Sequence, residues 1–392
     1  MPSRAAEIAD AHRGPTPLAE IRERATTPVE LLWDLVFVFA VTQVTTLLSS
    51  DLSWAGFGRS MLVLALVWWA WSAFVWATNA QDPDGGIFRG VLLLATALIF
   101  IAGLALPHAF GGEATLFAVT YAGVRCLHLA LYVDASRRGN ASLAAIAGFA
   151  TTVAIGMALL IAGSFADGLT RALFWVAAAA IDYAGPAWLT RERLRGLQRI
   201  AVNHFTERYS LFIIICLGES IVAVGLGASA RRLDTEIVAD VLLVLLITIA
   251  LWWTYFDRFA ARAEERLREH RDPVLAAADG YSYLHLLLVA GVIIFAVGAR
   301  YGVANVGSPL SAGARLALCG GVALYLVGHA AFRLRLTGVV SYAKLAAAGA
   351  CLVIFAAGAR APSWVIAGAV TATLALFVLY ESAVERSSSA PL

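Results

Sequence analysis

The chain has 392 residues, of which 60% are hydrophobic and only 14% charged, and its mean hydropathy is +0.77. Such values exclude an ordinary soluble globular protein. A net charge of +2 gives no reason to expect a nucleic-acid partner, so the placement of the charges carries the information.

Apolar stretches of about 20 residues recur along the chain, each long enough to cross a hydrocarbon core as a helix. They are continuous rather than alternating, unlike the strands of a membrane β-barrel. The expected fold class is an all-α, polytopic integral membrane helical bundle of about 12 transmembrane helices, with the lipid bilayer as its first partner. The spans fall near 29–50, 57–78, 88–108, 114–134, 142–164, 169–190, 205–228, 236–257, 276–299, 312–333, 340–359 and 363–383. Residues 1–28 lack an apolar core and read as a cytoplasmic segment rather than a cleaved leader. Two six-helix halves, 29–190 and 205–383, are joined by a cytoplasmic linker at 191–204 and followed by a tail at 384–392.

In chain order, the first span opens with Glu30 and Asp34, four residues apart and therefore on one helical face. The second carries Trp68, Trp69, Trp71 and Trp76 over more than two turns, too deep for all of them to form an interfacial belt. Asp82-Pro83-Asp84 reads as turn chemistry. The fourth span holds Arg125 and His128 on adjacent faces, and the sixth holds Asp182. Arg125 stays charged at any physiological pH and must face a carboxylate or a cavity, with Asp34, Asp182 and Glu219 as candidates. The seventh span begins with His204, Glu207 and Arg208 and carries Glu219 eleven residues beyond Arg208, about 16 Å along the axis. Glu219 thus has no partner on its own helix and needs one elsewhere, with Arg125 the first expectation. Asp257 to Asp272 is a mixed-charge stretch that suggests a solvated helix extending from the eighth span.

The four cysteines, Cys126, Cys216, Cys319 and Cys351, lie singly in apolar runs, so neither a disulfide framework nor a paired metal motif is predicted. His204, Glu207 and the Glu30/Asp34 pair could converge, but the repeated His/Glu motif of a bundle metal site is missing. There is no Gly-rich phosphate loop, nucleophile elbow or HExxH, and no cofactor is predicted. Of the 29 Lys and Arg residues, twenty fall on the side of the N-terminus and seven on the other, which predicts cytoplasmic termini. The strong preference for Arg over Lys suggests a GC-rich, bacterial source, and hence a plasma-membrane location. The halves also share features: Glu30 and Glu207 open spans 1 and 7, while Trp68-Trp69-Ala-Trp71 parallels Trp252-Trp253-Thr-Tyr255. A parallel six-plus-six duplication, as in some transporters, would produce this.

Glu30-Leu-Leu-Trp-Asp-Leu-Val-Phe-Val-Phe-Ala-Val-Thr-Gln43, Trp68-Trp69-Ala-Trp71, the Arg125/His128 run, Glu207-Arg208 and Leu217-Gly218-Glu219-Ser220 form a recognisable set. With Trp252-Trp253-Thr-Tyr-Phe-Asp257 and Tyr281-Ser-Tyr-Leu-His285, they resemble the bacterial low temperature requirement protein A family across residues 28 to 290. Leu288 departs from that family's tendency to proline. The resemblance implies a polytopic membrane protein and supplies neither a reaction nor a substrate. Three readings stay open. One is a transporter or channel for a small solute, ion or proton, with Asp34, Glu219, Arg125, Glu30, Glu207, His128, Asp182 and His204 as pathway candidates. The others are a membrane-embedded enzyme acting on a lipid or isoprenoid, with catalytic residues unknown, and a non-catalytic scaffold. The oligomeric state is not readable.

Overall fold

The computed structural model describes residues 24–81, 85–189, 191–194, 200–229, 232–257 and 259–388. The Asp82-Pro83-Asp84 turn lies outside them, as do most of the expected N-terminal segment, part of the linker and the last residues of the tail. Twelve long helical elements follow one another: α1 Pro28–Ser50, α2 Trp54–Asn79, α3 Gly86–Ala105, α4 Ala114–Arg137, α5 Leu143–Ser164, α6 Gly168–Ala184, α7 Val202–Ser229, α8 Thr235–Phe256, α9 Pro273–Ala304, α10 Ala312–Thr337, α11 Tyr342–Ala357 and α12 Ser363–Ser388. A short helix, Phe259–Arg268, follows α8 and carries part of the mixed-charge stretch.

Eleven of the described helical stretches are long and apolar enough to cross a membrane. The exception is α6, whose 17 residues fall short before the chain widens into a π-helical segment, Gly185–Leu189. A second π-helical segment, Ala278–Leu284, interrupts α9. Leu35, Leu104, Leu173, Leu226, Leu242 and Leu376 are exposed on the outside of the bundle, where lipid is the compatible solvent. The chain is therefore an all-helical, multi-pass membrane protein.

Helix ends explain several boundaries. Ser53, Ser142, Asp234 and Ser311 accept from backbone N–H groups in the first turns of α2, α5, α8 and α10. At the end of α10, Gly338 takes φ +70° and its N–H donates to the Leu334 carbonyl, a left-handed cap that glycine adopts without strain.

The centre of the bundle joins the two halves of the chain. Helix α2 is packed by α1, α4, α6, α7 and α9, while α9 is packed by α7 and α10. Glycines let α9 and α10 approach closely: a Cβ on Gly298 would lie 2.1 Å from the Leu318 nitrogen, and one on Gly321 would lie 2.3 Å from the Phe295 nitrogen. The two aromatic stretches shared by the halves serve different packing. Trp68 and Trp71 are enclosed at the centre, whereas Trp252 and Trp253 are about two-fifths exposed on the outer face of α8.

Candidate functional site

The first turns of α1 and α7 meet, with the end of α2 beside them. Glu30, in the first turn of α1, accepts from the Thr27 backbone N–H at 2.9 Å and the Thr27 hydroxyl at 2.8 Å, which ties it to its own helix start. Its two oxygens also accept from Arg24 at 2.9 and 3.0 Å, and Oε1 faces His204 Nε2 at 3.0 Å and Arg208 Nη1 at 3.3 Å. One turn on, Asp34 accepts two bonds from Arg208, Nη2 at 2.6 Å and Nε at 2.9 Å, and a third from the Trp71 indole at 2.8 Å. This is a bidentate, charge-assisted pair between side chains that are wholly buried. Arg208 Nη1 also donates to Thr78 Oγ1 at 3.3 Å, and Asn79 faces His204 Nδ1 at 3.1 Å. Every charged group in this cluster therefore has an opposite charge or a dipole against it.

Glu207 turns to the side and accepts from Thr26, through the backbone N–H at 3.1 Å and the hydroxyl at 2.9 Å. His204, Arg208, Glu30 and Asp34 are thus brought together, with Glu207 bounding the cluster. Among the described residues, no group of three or more His, Cys, Asp or Glu is arranged to hold a metal ion.

Three turns deeper on α7, Glu219 is only 6% exposed. The expectation that it faces Arg125 is corrected here. Its partner is the Thr42 hydroxyl of α1, 2.6 Å from Oε2, with the Thr45 hydroxyl beside it. Among the described residues no ion pair reaches Glu219. Thr42 Oγ1 also lies 3.1 Å from the carbonyl of Val38. A hydroxyl has one proton, so it satisfies only one of these acceptors at a time. An ionised Glu219 accepts the hydrogen bond from that hydroxyl; a protonated Glu219 donates to Oγ1 and releases the hydroxyl to Val38.

Arg125 instead pairs with Asp182, Nη2 to Oδ1 at 2.7 Å, both side chains being 2% exposed. Only one bond joins them. Among the described residues, buried Arg125 Nε and Nη1 and Asp182 Oδ2 have no hydrogen-bond partner, although the Trp69 indole lies near the carboxylate. Arg125 and Asp182 both line a cavity with room of about 60 Å³ for the centres of water molecules, lined also by His128, Tyr132, Ser72 and Ser282. His128 Nδ1 sits 3.3 Å from the Arg125 carbonyl, so these two candidates share one wall.

Several polar groups were not visible as site residues in the sequence. Ser72 and Tyr209 are 2.7 Å apart, Tyr209 and Ser282 are 3.1 Å apart, and the Trp76 indole donates to Ser282 Oγ at 2.8 Å, closing one side of the cavity. Asp279 accepts from Arg191 at 2.8 Å through both oxygens and from Arg335 Nε at 2.8 Å, fastening the π-helical turn of α9 to the segment after α6 and to the end of α10. The Tyr281-Ser-Tyr-Leu-His285 stretch was the available signal for the first group, because it places hydroxyls and an imidazole within an apolar run.

Comparison with known proteins bears on the identity of this arrangement. Residues 25–379 match the family described as bacterial low temperature requirement A protein. An uncharacterized protein of Rhizobium meliloti (strain 1021) is 33% identical over 311 residues, covering 76% of this chain and 75% of the relative. The match contains both acidic starts, the tryptophan-rich α2, the Arg125 helix and the Glu219 helix, and the chain belongs to the bacterial low temperature requirement A protein family.

Proposed function

We propose that the protein is a transporter or channel for a small solute, ion or proton, in which Glu219 takes up and releases the proton or cation. One observation carries this reading: Glu219, unlike Glu30, Asp34 and Asp182, is faced by hydroxyls rather than by a cation deep in the bundle, and its Thr42 partner suits both of its charge states. Glu30 and Asp34 have a different role in this reading. They are held by Arg24, Arg208, His204 and Trp71, and they join α1 to α7 as a strut rather than binding a mobile ion. The excess of Arg on the side of the N-terminus supports cytoplasmic termini and insertion in a bacterial plasma membrane.

The test is proton flux into proteoliposomes under an imposed potassium diffusion potential, read with a trapped pH dye. Wild-type protein is expected to exceed protein-free liposomes, and Glu219→Gln to fall to their level while eluting as a folded species. Equal flux in wild-type and Glu219→Gln vesicles would remove Glu219 from the pathway.

A further inference from the structure

We propose that the cavity between α2, α4, α6 and the π-helical turn of α9 is a binding site for a small, net-neutral polar solute, which presents an acceptor to Arg125 and a donor to Asp182. This assigns a solute site to the transport reading, and rests on it only for the use made of the bound molecule.

Two buried ion pairs in the protein are satisfied to different degrees. Arg208 and Asp34 are as buried as Arg125 and Asp182, yet the first pair is bidentate and surrounded by further partners. The second pair shares one hydrogen bond, and among the described residues nothing meets Arg125 Nε and Nη1 or Asp182 Oδ2, although both residues line the cavity. Buried polar groups are nearly always satisfied, so unmet groups on two residues that line a cavity point to a guest that reaches them there. The residues sort by chemistry: Arg125 Nε and Nη1 ask for an oxygen acceptor, and Asp182 Oδ2 asks for an N–H or O–H. Because Arg125 and Asp182 cancel in charge, a guest of net charge would enter a low-dielectric chamber without a counter-ion. A zwitterion or an amide meets both ends without that cost.

Size narrows the class further. With about 60 Å³ for water centres, and at least about 10–15 Å³ needed to admit one water, the cavity holds a few water-sized positions. Glycine and urea fit that count. Trp69 and Trp76 form part of the lining, so occupation is readable as a change in indole fluorescence.

The experiment titrates purified full-length protein with glycine and urea, and in parallel with acetate and methylammonium, following tryptophan fluorescence without any membrane gradient. Saturable changes are expected with glycine or urea, and at least tenfold weaker ones with the two ions. Ala73→Leu adds bulk to the cavity wall from α2 without substituting either member of the ion pair, and Asp182→Asn keeps shape while weakening the acceptor. Each is expected to weaken binding at least tenfold in protein that still elutes as one species. Absence of saturation with both neutral probes means that the chamber holds water only and overturns the proposal. Equal or tighter binding of acetate or methylammonium overturns the neutral class, and binding insensitive to both variants places the site elsewhere. Binding without flux in liposomes would defeat the transport reading alone, whereas flux without binding would defeat this inference alone.

Discussion

Asp34→Leu should damage the fold far more than its small change in size implies. Asp34 receives two bonds from Arg208, at 2.6 and 2.9 Å, and one from Trp71 at 2.8 Å, all at zero exposure. The substitution leaves Arg208 with Glu30 at 3.3 Å, a carboxylate already shared with Arg24 and His204. Removing one partner of a buried pair costs about 3–5 kcal/mol, and an orphaned indole donor adds about 1–3 kcal/mol, so the loss is on the order of 5 kcal/mol. Replacing both partners, Asp34→Leu with Arg208→Met, removes the uncompensated charge and should recover on the order of 3 kcal/mol. Glu30 keeps Arg24, His204 and Thr27 in that double variant. The assay is thermal loss of the monodisperse peak in detergent, comparing wild-type, single and double variants. Two results would refute the reasoning: a single variant as stable as wild type, or a double variant no more stable than Asp34→Leu. Wild-type stability with abolished flux would move Asp34 from the strut to the pathway.

Trp71→Phe keeps the ring packing but withdraws the indole bond to Asp34, and should cost about 1–3 kcal/mol in the same assay. Gly298→Ala drives a methyl group into the backbone of Leu318 and should cost about 3 kcal/mol or more, whereas Gly218→Ala, with nothing within 4 Å of its Cβ, should leave thermal stability unchanged or raised. Asp279→Ala removes three bonds, but the partners are about one-third exposed, so a loss of only about 1 kcal/mol is expected in thermal unfolding.

The spans were legible in the sequence because membrane insertion writes a one-dimensional code: a run of apolar residues of the right length. Even so, α6 stops at Ala184, several residues before the expected boundary, because Gly185 and Pro186 begin a π-helical segment whose register hydropathy does not report. Pairing across helices was much less legible. Spacing of three or four residues fixes neighbours on one helix, but rotation about the axis and the choice of adjacent helix follow from packing. Arg125 could therefore be assigned three acids, and the structure selects Asp182. The match of Asp34 to Arg208 emerges only from the true helix starts, because the expected spans begin at 29 and 205 and give the two residues unequal offsets. Asp34 lies six residues after the start of α1, and Arg208 lies six after the start of α7. Opposite charges at equal depth in two odd-numbered spans, which start from the same side, are placed to meet.

That equal depth also sharpens what Thr42 can do for Glu219. The strut at Asp34 and Arg208 holds α1 against α7, so Thr42 and Glu219 are set by helices already fastened together near their starts. A fixed spacing suits a proton-exchanging pair, because 2.6 Å serves either direction of the bond while the hydroxyl turns between Glu219 and Val38. Thr42→Ser preserves this rotor and should keep flux near the wild-type level. Thr42→Val preserves the shape of the side chain and removes the hydroxyl, leaving an ionised Glu219 to lose its closest donor. Flux under the same imposed potential should then fall at least tenfold, with elution unchanged. Should Thr42→Val conduct as well as Thr42→Ser, the hydroxyl is packing only, and Glu219 exchanges its proton by another route.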